Sequence, residues 1–231
     1  MDEKAKLLAM EVETRDERGI PLKSSYPDLA APVWLIYVSF TLMGLAFGQL
    51  LAWPIYLYLS DSRVDEKLKF LGGQGLGWLY VSAFLLKMGA AALNTVAAQW
   101  RKESRVNIPD QHVYKVFTPA GSPPLPYVMF ETEGDLGRFN RAQRAVQNYL
   151  EYVPALGLYV VLAGYVFPRP VCVCTALYIV CRILMAVQYA QSATGRQKGF
   201  MLSQLSASVI EGLLLICAGK ALQIEFAAAA P

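Results

Sequence analysis

Five long stretches of the chain are almost free of charge, and the polar residues are arranged around them. Ala31 to Ser60 contains no charged residue, and Gly75 to Trp100 carries one, Lys87. Ala142 to Phe167 carries Arg144 and Glu151 near its start, and Val171 to Ala193 carries Arg182. Gly199 to Ile224 holds Glu211 at mid-depth and Lys220 near its end. A helix needs about 20 mostly apolar residues to cross a bilayer, so the pattern predicts five transmembrane helices. At ~1.5 Å per residue the first run reaches ~45 Å, enough to cross with tilt or with a bend at Pro54. That run follows a polar stretch of about 28 residues and is about twice the length of a signal-peptide apolar region, so it reads as a retained helix.

The connections follow from their composition. Met1 to Asp28, rich in Lys, Glu, Asp and Arg and without periodic apolar positions, reads as a mobile polar tail. Its acidic residues argue against a mitochondrial presequence. The run Gly72-Gly73-Gln74-Gly75-Leu76-Gly77 lacks the preceding strand of a phosphate loop and reads as a flexible hairpin between spans. The Arg101–Arg138 loop contains Pro109, Pro119, Pro123, Pro124 and Pro126, so it is expected as ordered coil rather than continuous helix. Pro168-Arg169-Pro170 is too short a turn for anything but antiparallel neighbouring helices. No internal repeat is evident.

Composition narrows the class further. Apolar residues make up 55 % of the 231 positions, charged residues 17 %, and the mean hydropathy is +0.34. Soluble domains have about 45–50 % apolar and about 25 % charged residues. A soluble or disordered protein is excluded, and a net charge of +3 with dispersed basic residues leaves no nucleic-acid footprint. With five spans, the N-terminus, the Arg101–Arg138 loop and the Gly195–Lys198 turn share one side of the membrane. Those three segments carry twelve Lys and Arg residues, and the other side carries five, counting Lys220 near the end of the last span, which places the N-terminus in the cytosol.

Candidate chemistry lies where polar groups enter the spans, because such groups are costly in lipid and turn towards the protein interior or water. Arg144, Asn148 and Glu151, at i, i+4 and i+7, share one helical face, with Tyr152 beside it and Pro154 just beyond. A guanidinium, an amide and a carboxylate in one stripe can bind a ligand bearing both carboxylate and ammonium groups. They can equally form an internal salt bridge that serves packing. The fourth span adds Tyr178, Arg182, Met185, Tyr189 and Arg196, and the second ends in Trp100, Arg101 and Lys102. Basic and aromatic groups from three helix ends thus reach one level of the cytosolic half of the bilayer; taken singly, Arg101, Lys102 and Arg196 read as ordinary interfacial anchors, and it is their convergence that points to a site. Lys87 and Glu211 lie near the midpoints of their spans, where an unpaired charge costs at least ~2.5–3.5 kcal/mol. They are expected to pair or to share a wet axis between subunits. His112 stands alone in a loop, and Cys172, Cys174, Cys181 and Cys217 read as inert packing residues.

Three of these segments together resemble the MAPEG superfamily of microsomal glutathione transferases, cysteinyl-leukotriene synthase, microsomal prostaglandin E synthase and the lipoxygenase-activating protein. They are R-A-x-x-N-x-x-E-x-x-P (Arg144, Ala145, Asn148, Glu151, Pro154), W-R-K-E-S-R-V (Trp100–Val106) and R-I-L-M-A-V-Q-Y-A-Q-S-A-T-G-R (Arg182–Arg196). The resemblance covers roughly Leu76 to Leu222 and is greatest to microsomal glutathione transferase 3 and leukotriene synthase. It implies an all-α membrane protein with a four-helix transmembrane bundle over residues 75–231, to which the apolar pattern adds, outside the family core, an extra N-terminal transmembrane helix and hairpin over 29–74 and the polar cytosolic tail over 1–28. It further implies a homotrimer with glutathione, as co-substrate, bound between subunits and open to the cytosol.

By the same resemblance, Arg144, Asn148, Glu151 and Tyr152 would hold the glutathione backbone, with Glu151 meeting its amino group. Tyr189 and Arg101 would contact it from the neighbouring region. Arg196 would stabilise the thiolate, and Lys102 would assist the electrophile. Val146 stands where glutamine or histidine is usual, and Met185 where several relatives have tyrosine. Two functions follow: a glutathione transferase or peroxidase acting on a lipophilic electrophile or lipid hydroperoxide, or a non-catalytic lipid-binding or structural subunit of a larger membrane complex. The endoplasmic reticulum is the expected membrane, with a mitochondrial membrane as the alternative.

Overall fold

Inside a bilayer no water is available to the backbone, so each apolar run must satisfy its own N–H and C=O groups, and a helix does this along its length. The computed structural model describes residues 16, 20–24, 26, 31–107, 110–115 and 129–229. In chain order the helices are α1 (Val33–Leu59), α2 (Ser62–Gly73), α3 (Gly77–Ser104), α4 (Gly134–Val166), α5 (Pro168–Gln191) and α6 (Arg196–Ala229). All but α2 are long and apolar enough to cross a membrane, which gives the five expected spans. Two residue pairs, Tyr114–Lys115 and Met129–Phe130, form a minimal antiparallel ladder in the connection between α3 and α4. The prolines of that connection lie outside the described residues, as does most of the segment before residue 31.

The helix α2 corrects the expectation of a flexible hairpin. Asp61 caps its start, accepting from the Val64 amide at 3.0 Å. Gly75, at φ 69°, ends it with a doubled closure: the Leu76 amide donates to Leu71 O (2.9 Å) and the Gly75 amide to Gly72 O (3.0 Å). The glycines therefore finish a helix rather than loosen a loop. Opposite α2, the connection between α3 and α4 defines what we term the loop end of the bundle.

At the loop end, side chains replace missing backbone partners. Asn140 accepts from the Val113 amide (2.9 Å) and donates to the carbonyls of Val113 (2.7 Å) and Glu131 (2.9 Å), clamping both arms of the connection. Arg141 donates to the carbonyls of Tyr189 (2.9 Å) and Ala190 (3.0 Å), closing the last turn of α5, and to Thr132 O (2.7 Å). The segment read as a mobile tail is tied down at its described residues. Arg105 pairs with Asp16 at 3.1 Å, Asn107 donates to Lys23 O at 3.2 Å, and the hydroxyls of Tyr26 and Tyr37 share a 2.8 Å hydrogen bond.

Only Phe167 separates α4 from α5, and Pro168 sits in the first turn of α5, where a proline's missing N–H leaves nothing unpaired. The two helices run antiparallel as central elements, with α3 packed on one flank and α6 on the other. Leu93, Tyr149, Val160, Tyr178 and Ile210 fill the interior with no exposure above 0 %. The buried face of α6 is a stripe of small residues, Gly199, Ser203 and Ala207, that lets its backbone approach α5 closely. Helix α1 packs against α3, with Val33 as its buried residue, and turns the rest of its apolar surface outward, as a lipid-facing span does.

A Cβ at Gly199 would lie 2.7 Å from the Met185 nitrogen and 2.8 Å from Cys181 O, both backbone atoms that cannot swing away. Gly199→Ala is expected to cost about 1–3 kcal/mol, as overpacking does. The check is the thermal midpoint of the detergent-purified protein, which should fall clearly below that of the parent chain.

Candidate functional site

Three helices converge at the loop end around a cavity of about 440 Å³. Arg144, Ala145 and Asn148 line it from α4, Met185 and Tyr189 from α5, and Arg196, Gln197, Phe200 and Met201 from α6. The turn Ala193–Gly195 brings α6 back beside α5, and Ser192 caps it by accepting from the Gly195 amide at 3.2 Å. That turn sets Arg196 5.7 Å from the centre of the Tyr189 ring, a cation–π contact on the cavity wall.

The wall rests on a cation. Arg182 on α5 is completely buried and forms no ion pair among the described residues. Its Nη1 donates to Asn148 Oδ1 and lies 3.8 Å from Met185 Sδ, and its Nη2 donates to Gln204 Oε1 at 3.2 Å. The guanidinium carbon lies 5.1 Å from the ring centres of Tyr152 and Tyr178 and 5.2 Å from that of Phe200. Neutral dipoles and aromatic faces thus stand in for a carboxylate. Because a guanidinium only donates, it fixes Asn148 with Oδ1 inward, leaving the Nδ2 donors as what that side chain can offer a ligand.

Of the residues singled out in the sequence, Arg144, Asn148, Tyr189 and Arg196 meet around the cavity. Glu151, two turns along α4, pairs with Arg144 at 3.1 Å, and both side chains are about half exposed. The salt-bridge reading of that stripe is thus what the isolated chain adopts, at the edge of the cavity. Tyr152 lies behind the wall, its ring against Arg182 and its hydroxyl accepting from Gln204 Nε2 at 3.3 Å.

Arg101 and Lys102 are not brought to the cavity within one chain. Arg101 is buried, its Nη1 donating to the carbonyls of Val106 (3.0 Å), Asn107 (3.2 Å) and Asp110, with its guanidinium over Phe139. Val146 is buried outside the lining, whereas Met185 lies within it. Lys87 and Glu211 form no ion pair among the described residues, and both are exposed on the chain. The sequence had drawn attention to Arg182 without giving it a task. Its signal was a lone arginine in an apolar run, and its partners Gln204 and Phe200 had none.

The electrostatics favour an anion. Arg144 and Glu151 cancel, while Arg182 and Arg196 carry charge that no carboxylate among the described residues neutralises. His112 sits nearby, its ring 5.0 Å from that of Phe130. Burial, then the positive charge of Arg144, hold its pKa below the ordinary histidine value.

The MAPEG family model matches residues 76–216. The chain belongs to the MAPEG family. The MAPEG region opens at Leu76, in the turn before α3, and closes at Ile216 inside α6, so it holds the whole cavity and leaves α1 and α2 outside. Membrane glutathione transferases belong to the MAPEG family, and its members are typically trimeric. No curated protein matches the chain.

Two outcomes follow from this geometry. Arg182→Leu should destabilise the bundle by more than about 3 kcal/mol, because Asn148 and Gln204 lose a charged donor inside the protein. Arg182→Lys should recover little of that, lacking the fork that reaches both amides; thermal unfolding of the three proteins checks it. A histidine pKa lowered by folding contributes stability above the unfolded value of about 6.5 and loses it as pH falls towards the folded value. Amide hydrogen exchange across residues 110–115 should therefore quicken on acidification through that window, relative to the chemical rate, and His112→Phe should remove the effect.

Proposed function

We propose that this chain is a membrane-bound glutathione transferase or peroxidase, nearest within its family to microsomal glutathione transferase 3 and leukotriene synthase. The carrying observation is the cavity at the ends of α4, α5 and α6, lined by the uncompensated Arg196, by the oriented Asn148 amide and by Arg144 of the Arg144–Glu151 pair, with the buried Arg182 behind its wall. Its donors fit a tripeptide with two carboxylates and one ammonium. Arg144 and the Asn148 Nδ2 group face acceptors, Glu151 can exchange Arg144 for an ammonium, and Tyr189 flanks the chain of the ligand, with Tyr152 backing the wall against Arg182. A volume of about 440 Å³ lies within the roughly 300–1,000 Å³ usual for small-molecule sites.

Glutathione supplies a thiol whose anion adds to an electrophilic carbon, or reduces a hydroperoxide to an alcohol and water as two thiols become a disulfide. The protein must supply charge stabilisation and exclusion of water. Arg196 lines the cavity beside Tyr189, and a cation beside sulfur draws a thiol pKa of about 8.5 down towards neutrality. Arg182, bonded to the wall residues Asn148 and Met185, adds a second positive charge from behind them. Lys102 and Arg101 would serve a cavity from an adjacent copy, Lys102 as a donor to the electrophile, in a homotrimer of this chain. The lipophilic co-substrate enters from the bilayer, and the endoplasmic reticulum with the N-terminus cytosolic is the setting, a mitochondrial membrane the alternative. A non-catalytic lipid-binding or structural subunit is the second reading, favoured by Met185 in the cavity wall and by α1 and α2 lying outside the family region.

The test is glutathione titration of the detergent-solubilised protein with the ultraviolet thiolate band as readout. Saturable binding with a thiolate signal at pH 7 is expected. In Arg196→Ala the signal should drop to the few per cent thiolate of a free thiol at that pH, with binding largely kept through Arg144 and Asn148. Binding without thiolate in the parent chain points to the subunit reading.

A further inference from the structure

Two side chains remain unexplained by the cavity. Lys87 on α3 and Glu211 on α6 are exposed at mid-span and form no ion pair among the described residues. Ionisable groups in that position are unfavourable against lipid and are found paired or facing protein. They cannot relieve one another inside a chain, because α3 and α6 occupy opposite flanks of the central pair α4 and α5.

Their depths match. Lys87 precedes Arg101, at the loop end of α3, by 14 residues, and Glu211 follows Arg196, at the loop end of α6, by 15. At 1.5 Å per residue these are depths of about 21 Å and about 22 Å. One heptad nearer the loop end, Asn94 lies on the Lys87 face of α3 and Gln204 on the Glu211 face of α6, again at one level. Asn94 is exposed and makes no side-chain hydrogen bond among the described residues. Each flank thus carries a polar stripe, basic on α3 and acidic on α6, whose steps coincide when the antiparallel helices lie side by side.

We infer that Lys87 of one copy and Glu211 of the next meet at the bilayer centre as an ion pair, joining the α3 flank to the α6 flank head to tail. Complementary charge at equal depth selects a second copy of this chain as the occupant of each flank. A contact between two different faces does not stop at two copies; when its rotation closes it gives a ring. In a family whose members are typically trimers that ring has three members. Gln204, one heptad from Glu211, borders that face of α6, and Phe200 and Met201 beside it line the cavity, so the α3 of the neighbour covers the flank of α6 that borders the cavity. The inference concerns assembly and does not depend on glutathione being the ligand.

The experiment pairs cross-linking with charge exchange, both on the full chain in native membranes. In Lys87→Cys/Glu211→Cys, made in a chain whose Cys172, Cys174, Cys181 and Cys217 are replaced by alanine, a short bifunctional thiol reagent should give a ladder reaching three copies, with each single replacement no different from that cysteine-free parent. Absence of any ladder, or one that stops at two copies, overturns the inference. In the second arm, Lys87→Glu and Glu211→Lys alone should each lower the assembled fraction in detergent at least tenfold, and the double exchange should restore it to within about twofold. A double exchange no better than the singles overturns the pairing. The cross-linking arm decides even where a single charge variant fails to insert.

Discussion

A guanidinium cannot shed its charge inside a protein, so the fold must be built around Arg182. Helix α5 brings it into the centre of the bundle, where no carboxylate meets it. Its demand for acceptors recruits Asn148 from α4 and Gln204 from α6, and its demand for polarisable surface recruits Tyr152, Tyr178 and Phe200. Three helices are thereby fixed relative to one another at the level where the cavity opens. The same contacts settle which atoms the cavity offers, since Asn148 has given its oxygen to the arginine. A stabilising demand and a recognition surface are here two sides of one amide.

Other arginines at the loop end show how the environment decides the role of one residue type. Arg141 spends its donors on carbonyls that the end of α5 leaves over and so acts as a cap, while Arg101 spends Nη1 on carbonyls of the connection. Arg144 is neutralised by Glu151 along its own helix. Arg196, placed at the start of α6 by a short turn, faces Tyr189 across the cavity wall. The small residues of α6 make this crowding feasible, because Gly199 allows the α5 and α6 backbones to touch just where the wall is formed.

The spans and their order were legible in the sequence because hydrocarbon imposes one requirement, an uninterrupted run of apolar residues, that composition alone displays. The meeting of Arg144, Asn148, Tyr189 and Arg196 was legible from helical spacing and from the shared level of the helix ends. What stayed hidden depends on partners distant in sequence. Arg101 looked like Arg196 in its setting but is drawn to three carbonyls of a loop whose path no periodicity encodes. The choice between ligand and salt bridge for Glu151 needed a rotamer. Helix α2 is hidden because its charged residues and terminal glycines resemble a linker, although Asp61 and Gly75 are its start and stop.

The central claim is that the loop-end cavity holds a zwitterionic tripeptide between α4, α5 and α6. The most direct measurement is an experimental map of the protein in lipid nanodiscs with saturating glutathione. The account predicts density for the tripeptide within hydrogen-bond reach of Arg144, Asn148 and Arg196, with its sulfur on the Arg196 side. A map at side-chain resolution with that cavity empty, and Arg144 and Glu151 still locked together, would contradict it.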